Sequence, residues 1–285
     1  MDDQKFISTI NVTDPENWEE LKEKIGNILN FNVNNYRDKF LKRRVECRLR
    51  RNSIYSYEEY SKFLGSNDEE KEKLEKELTI HVTHFFRDVS LFRELQEWVF
   101  PQAIKEKIEK NDYSLYIWSA GSSTGEEAYS IAMILREVLG NNIEKFNINI
   151  RGSDLDQKTV STAIMGIYSK ESLTEIPAYY KETYLMEANG VYSVVPEIKR
   201  MVKFEVDDII NPRSSINFDF IFCRNTVIYM EKQTKSDLFE ALYKKLKPGG
   251  FLVLGKTEFL DGTARTKFEP YSIPERIYRK PFDNA

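Results

Sequence analysis

The chain has 285 residues, 41% of them hydrophobic and 13% aromatic, which is enough apolar material for a sizeable core and more than one domain. A net charge of −4 and a pI near 5.6 argue against a whole-molecule nucleic-acid binder; no apolar run approaches the ~20 residues of a membrane span, and Met1-Asp2-Asp3-Gln4-Lys5 is unlike a signal peptide. Cys47 and Cys223 are too few for a disulfide framework or thiolate cluster and read as structural thiols of a cytoplasmic protein.

Helical spacing runs from Pro15 to about Leu78, with Leu41, Val45 and Leu49 at i, i+4 intervals, predicting a small all-α domain over 1–78. Its second helix, Tyr36 to Arg51, carries Arg37, Lys39, Lys42, Arg43, Arg44, Arg48, Arg50 and Arg51 against Asp38 and Glu46. A solvated surface accounts for such a run; so does docking to an acidic partner, since clustered charge speeds and orients encounter. Stacking aromatics, which would point to nucleic acid, are missing from this face. A charged segment from Asp68 to Lys73 opens another helix, buried through Leu74 and Leu78, and the rhythm stops over 79–88. Asp88 then reads as the N-cap of a helix in which Leu91, Leu95 and Trp98 share a face and Pro101 restarts or kinks the turn.

From there strand and helix signals alternate: strand Leu115–Trp118, helix Glu126–Leu139, strand Phe146–Gly152, helix Gln157–Met165 capped by Asp156, strand Phe218–Cys223, helix Gln233–Leu246 and strand Phe251–Leu254. That order predicts a parallel sheet covered on both faces, binding its ligand at the carboxyl ends of the strands. Tyr184 to Asp207 interrupts the alternation with two β-rich runs, Val191–Val195 and Met201–Val206, read as a small antiparallel insertion at about 184–207.

The loop Ser119-Ala120-Gly121-Ser122-Ser123-Thr124-Gly125 joins an apolar strand to a helix that begins Glu126-Glu127. Small residues admit a ligand close to the backbone, but two carboxylates at a helix N-terminus repel a pyrophosphate. They suit a cationic nucleoside such as S-adenosylmethionine; complementing the helix dipole is the alternative reading. Asp154, after the next strand, stands where ribose hydroxyls need an acceptor. The loop lacks G-x-G-x-x-G, which disfavours NAD. Gly250 to Thr257 formally matches a phosphate-binding loop, but the residues between its glycines read as strand core. His81 and His84 find no third ligand for a metal, and Cys223 has no nearby histidine in sequence to serve as base.

Four segments, Thr83-x-Phe85-Phe86-Arg87-Asp88, Trp118-Ser119-Ala120-Gly121-x-Ser123-Thr124-Gly125-Glu126-Glu127-x-Tyr129-Ser130, Ser153-Asp154-x-Asp156 and Phe222-Cys223-Arg224-Asn225-x-x-Ile228-Tyr229, together resemble the CheR-type chemotaxis receptor glutamate methyltransferases. The resemblance spans nearly the whole chain. It implies an α/β fold of the class I S-adenosylmethionine-dependent methyltransferase type, a Rossmann-like doubly wound sheet, with the small all-α N-terminal domain, an active-site linker over 79–88 and a catalytic domain over 89–285 bearing the β insertion. It assigns cofactor contacts to His81, Thr83, Arg87, Ala120, Glu126, Asp154, Asp208, Ile209, Asn225 and Thr226, and places Arg87 and Tyr229 beside the transferred methyl. His81 stands where the family often has Asn, Asp208 where Asn is common, and Lys256-Thr257-Glu258 where His-Ser-Glu is usual.

The implied activity is methyl transfer from S-adenosylmethionine to glutamates on the cytoplasmic methylation helices of chemoreceptors, leaving S-adenosylhomocysteine. A silent cofactor-binding adaptor is the alternative. Arg43, Arg44 and Arg48 become candidate receptor contacts. The short Ala188-Asn189-Gly190 turn predicts an enzyme, expected to be monomeric, that needs no C-terminal receptor tether. A glutamate carboxylate, with an ordinary pKa near 4.3, is a nucleophile at neutral pH and needs no base. Arg87 is expected to orient it bidentately, and Phe85, Phe86 and Tyr229 to exclude water.

Overall fold

A computed structural model describes residues 15–29, 32–78 and 83–282; His81 lies outside the described residues. The chain forms two compact units, one comprising 1–81 with Tyr229–Lys232, the other 82–228 with 233–285.

In the first unit, helices α1 (Pro15–Leu29), α2 (Asp38–Arg51), α3 (Tyr57–Ser66) and α4 (Asp68–Leu78) bury one stripe each. Trp18, Leu21, Ile25, Leu41, Val45, Leu49, Tyr60, Leu64 and Leu74 make their common core. Ser56 caps α3 by accepting the Glu59 N–H, and Asn67 accepts the Glu70 N–H at the start of α4. Inside this small core sits an ion pair. Arg48 donates through Nε and Nη2 to the two oxygens of Glu70 at 2.9 and 2.6 Å, and the Tyr60 hydroxyl donates to Oε1 at 2.8 Å. Arg48 is therefore buried, contrary to its expected place on a docking surface. Its partner lies 22 residues away, so the helix pattern alone could not reveal it.

The second unit begins with α5 (Val89–Glu94), a π-helical turn over Leu95–Val99, and α6 (Phe100–Glu109). The π turn adds a residue to the helical repeat, so Leu95, Val99 and Phe100 turn inward while Trp98 is 66% exposed. The predicted Leu91–Leu95–Trp98 face is thereby corrected. Pro101, which has no N–H to give the preceding turn, follows directly. Asp88 occupies the N-cap position in the left-handed region without capping; its carboxylate pairs with Arg224 instead.

The rest is β1 (Ser114–Ala120), α7 (Glu126–Leu139), β2 (Asn147–Asp154), α8 (Gln157–Met165), β3 (Ile167–Tyr168), α9 (Ala178–Tyr184), β4 (Leu185–Ala188), β5 (Val191–Val194), α10 (Pro196–Lys199), β6 (Val202–Val206), β7 (Phe218–Cys223), α11 (Lys232–Lys245), β8 (Leu246–Leu254), α12 (Ala264–Lys267), β9 (Glu269–Ser272) and β10 (Ile277–Arg279). The main sheet has the order β6-β2-β1-β7-β8-β10-β9. β6, β2, β1, β7 and β8 run parallel, and β10 lies antiparallel between β8 and β9. This is the class I S-adenosylmethionine-dependent methyltransferase fold, with its small all-α N-terminal domain. Its middle strands read as unbroken apolar runs because both faces are covered: every residue of β7 is buried.

The insertion is a separate three-stranded sheet, β3-β5-β4, and β4 turns into β5 through Asn189 and Gly190, both at positive φ. The Met201–Val206 run, predicted to belong to it, is instead the parallel edge strand of the main sheet, with Ile150 opposite Val202 and Asp154 opposite Val206. Alternation marks a run as a strand without naming its neighbour. The segment Gly250–Thr257 is strand through Leu254, with no helix following, so it cannot cradle phosphates.

Candidate functional site

Reversal of strand order beside β1 puts the ends of four neighbouring strands around one crevice. Ala120 ends β1, Asp154 ends β2, Asp208 and Ile209 follow β6, and Asn225 and Thr226 follow β7. Six of the residues expected to hold the cofactor are thus gathered at the carboxyl edge of adjacent parallel strands.

The β1 loop folds back across the end of β2. Gly121 and Ser122 both donate their N–H to the Ser153 carbonyl at 2.9 and 2.8 Å, and the Ser123 N–H reaches Asp154 Oδ2 at 2.9 Å. Asp154 also accepts from the Asp156 N–H at 3.2 Å. Backbone donors on either side thus fix the orientation of this half-buried carboxylate at the end of β2. Gly121 (φ +75°) and Gly125 (φ +94°) are left-handed, and both lie against neighbours: a Cβ on Gly121 would come 2.9 Å from Thr226 Oγ1, and one on Gly125 2.8 Å from the Phe204 ring. The same ring occupies the space where a Gly152 side chain would stand. Glycine is required at these points because the backbone is left-handed and packs directly on Thr226 and Phe204, which fixes the path of the loop beside the strand ends.

Glu126 and Glu127, alike in sequence, diverge in the fold. Glu127 accepts from Ser119 Oγ at 2.7 Å and from Arg224 Nη1 at 2.9 Å. Glu126 is 2% exposed, its oxygens accepting from the Thr124 hydroxyl at 2.6 Å and the Ser172 hydroxyl at 3.1 Å. Burial raises its pKa above the ordinary carboxylate value, against the lowering by those hydroxyls. A raised folded pKa means that ionising Glu126 opposes folding once the pH exceeds its unfolded value near 4.5. Glu126→Gln should therefore raise the melting temperature at pH 7, by about 2–4 °C per kcal/mol recovered, with the gain vanishing near pH 4, while weakening cofactor binding. Melting curves at the two pH values, with S-adenosylhomocysteine titrations, check both halves.

The segment from Thr83 to Asp88 is pinned to this unit. Phe85 N–H donates to the Ser172 carbonyl at 2.9 Å, Phe86 N–H to Ser130 Oγ at 3.0 Å, and Asp88 N–H to Glu175 at 2.9 Å. Phe86 and Asp88 both have positive φ, at 56° and 69°, so Arg87 is presented between two strained residues. Phe85 and Phe86, expected to exclude water from the site, are fully covered. They are core residues, at 4.9 Å from Tyr168 and 4.6 Å from Tyr180 respectively, and their effect is to fix the backbone of Arg87.

Arg224 belongs to the Phe222–Tyr229 motif. Its buried guanidinium joins three parts of the site, bonding Glu127, the Arg87 carbonyl at 2.8 Å and Asp88. Glu258, 2% exposed, accepts the N–H groups of Asn225, Val227 and Gly255, each at 2.8 Å. Both stand within segments compared with the family pattern, but neither residue's contacts follow from its neighbours in sequence. Burial keeps the Cys223 thiol protonated, well above its ordinary pKa, in line with a core role.

Tyr229 groups with the helical unit. Its ring lies 4.6 Å from Phe40, its carbonyl accepts the Arg37 N–H at 3.0 Å, and Met230 bridges to Tyr36. On α2, Arg43 is exposed, whereas Arg44 and Arg51 share Glu77 at 3.2 and 2.9 Å. Among the described residues no group of three or more His, Cys, Asp or Glu side chains is placed to hold a metal, and no helix is long and apolar enough to cross a membrane.

Residues 81–277 match the family model described as CheR methyltransferase, SAM binding domain, and residues 16–79 the one described as CheR methyltransferase, all-alpha domain. The chemotaxis protein methyltransferase of Borreliella burgdorferi is 30% identical over 93% of this chain and 95% of its own length. Chemotaxis protein methyltransferase 2 of Vibrio cholerae is 32% identical over 78% of this chain and 76% of its own length, and that of Pseudomonas aeruginosa 30% over 85% and 86%.

Proposed function

Because the chain belongs to the CheR methyltransferase family, we infer that it esterifies glutamate side chains on the cytoplasmic helices of chemoreceptors, using S-adenosylmethionine. The observation that carries this reading is the gathering of Ala120, Asp154, Asp208, Ile209, Asn225 and Thr226 at one strand edge, next to a loop whose two left-handed glycines pack closely on Thr226 and Phe204.

S-adenosylmethionine, when bound, supplies an activated methyl on a positively charged sulfur. Asp154 and Glu126 accept hydrogen bonds from the ligand's hydroxyl and amino groups, and their charge suits a cation where it would repel a phosphate. Arg87 holds the incoming carboxylate through its planar fork. With the acceptor held by Arg87, its carboxylate oxygen would take the methyl as the carbon–sulfur bond breaks, the bonding pair leaving with sulfur. No proton moves, so no general base is needed. The protein's contribution is alignment.

On α2, exposed Lys39 and Arg43 offer positive charge to a glutamate-rich helix, an attraction that salt screens. The two-residue Asn189-Gly190 hairpin supports an enzyme that needs no tethering peptide. Incubating the chain with labelled S-adenosylmethionine and receptor cytoplasmic fragments should yield base-labile methyl ester. Cofactor binding without label would favour the silent adaptor.

A further inference from the structure

We propose that Glu258 is a positioning residue for cofactor binding: its carboxylate clasps the loop after β7 to the end of β8 and so sets the backbone of Asn225 and Thr226. The assignment rests on the methyltransferase reading of that loop.

Asn225 stands at φ 58°, a conformation that needs support from its surroundings. Oε2 of Glu258 accepts the N–H groups of Asn225 and Gly255, and Oε1 accepts that of Val227. The Val227 and Gly255 donors would otherwise be buried without partners, and the half-buried Asn225 donor shares the same carboxylate. The carboxylate occupies the space above Gly255: a Cβ there would come 2.8 Å from Glu258 Oε2 and 3.0 Å from the Asn225 nitrogen. Thr226, the central residue of the clasped turn, in turn lies against Gly121. One acid thus connects the end of β8, through the β7 loop, to the β1 loop.

A buried carboxylate is an expensive way to satisfy three amides unless their geometry matters. Burial raises the Glu258 pKa; the three amides and the Arg224 guanidinium oppose that rise. The charged form is the one the loop needs, because it accepts at both oxygens. An amide at this position would aim its NH2 at a backbone N–H, donor against donor, on one side of the clasp.

The test uses Glu258→Gln and Gly255→Ala in the full chain. One readout needs no cofactor: hydrogen exchange at the 225, 227 and 255 amides should accelerate at least about tenfold in Glu258→Gln while α7 and β2 stay protected. The other is S-adenosylhomocysteine affinity and the kinetic split. Kd and the KM for S-adenosylmethionine should rise by about tenfold or more in both variants, with kcat changed less than about threefold. Unchanged exchange and unchanged Kd in a folded Glu258→Gln chain would overturn the clasp. If exchange responds but the parent chain binds no S-adenosylhomocysteine, the clasp stands and the methyltransferase reading fails.

Discussion

Arg87→Ala should lower kcat/KM for receptor methylation by at least about 100-fold, equivalent to about 2.7 kcal/mol, while S-adenosylhomocysteine affinity falls far less. The expectation rests on how the residue is presented. Its neighbours Phe86 and Asp88 are held at positive φ, and its carbonyl is fixed by Arg224 at 2.8 Å. Strain of this kind persists only where the surroundings over-determine the backbone. A planar fork can take both oxygens of a carboxylate; an ammonium cannot, so Arg87→Lys should recover little of the loss. Steady-state kinetics beside calorimetric titration separates orientation of the acceptor from binding of the cofactor. Methylation unchanged in Arg87→Ala, with cofactor bound, would remove Arg87 from the chemistry.

Arg48→Ala should destabilise the helical unit by about 3–5 kcal/mol, the usual consequence of leaving one member of a buried ion pair alone. Glu70 would lose both donors of the Arg48 fork and keep the Tyr60 hydroxyl. Replacing both charges, as in Arg48→Met with Glu70→Leu, should return most of that stability. The pH dependence has a definite sign. Burial raises the Glu70 pKa, but the hydrogen bonds from Arg48, Tyr60 and Asn52 outweigh it and hold it below its ordinary value of 4.5. The pair's contribution is therefore present above pH 4.5 and is lost as the pH falls through the folded pKa. Denaturant melts of the parent chain at pH 7 and pH 3, followed by helical circular dichroism, should show it, and the double variant should lack it. The docking role of α2 is accordingly better probed at exposed Arg43, because lost methylation in Arg48→Ala would be confounded with lost stability.

The parallel core was legible because its signals are local. Phe218–Cys223 is apolar throughout and Glu126–Leu139 is bounded as its sequence predicts, while Asp156 caps α8 by accepting the Lys158 N–H. Asp154 could be placed because a strand end follows from the strand. What escaped was whatever depends on a distant partner. Met201–Val206 shows its strand character but not that it will pair with β2 across the sheet edge. Trp98 went to the wrong face because a π turn shifts the repeat. Arg224 acts on a charge and a carbonyl 97 and 137 residues away, and Glu258 on amides 31 and 33 residues away besides that of Gly255, so little beside them in sequence reveals the work they do.

Phe204 has a consequence for how such a chain can change over generations. Its single ring fills the room left by Gly125 in the loop and by Gly152 in the strand leading to Asp154. Three positions spread over eighty residues are therefore one steric unit. A methyl gained at either glycine meets the ring, but a smaller side chain at 204 relieves Gly152 alone, because Gly125 is also held by Ala163 and by its left-handed backbone. Descendants can therefore drift in the strand by shrinking the ring first, while the loop glycine stays fixed.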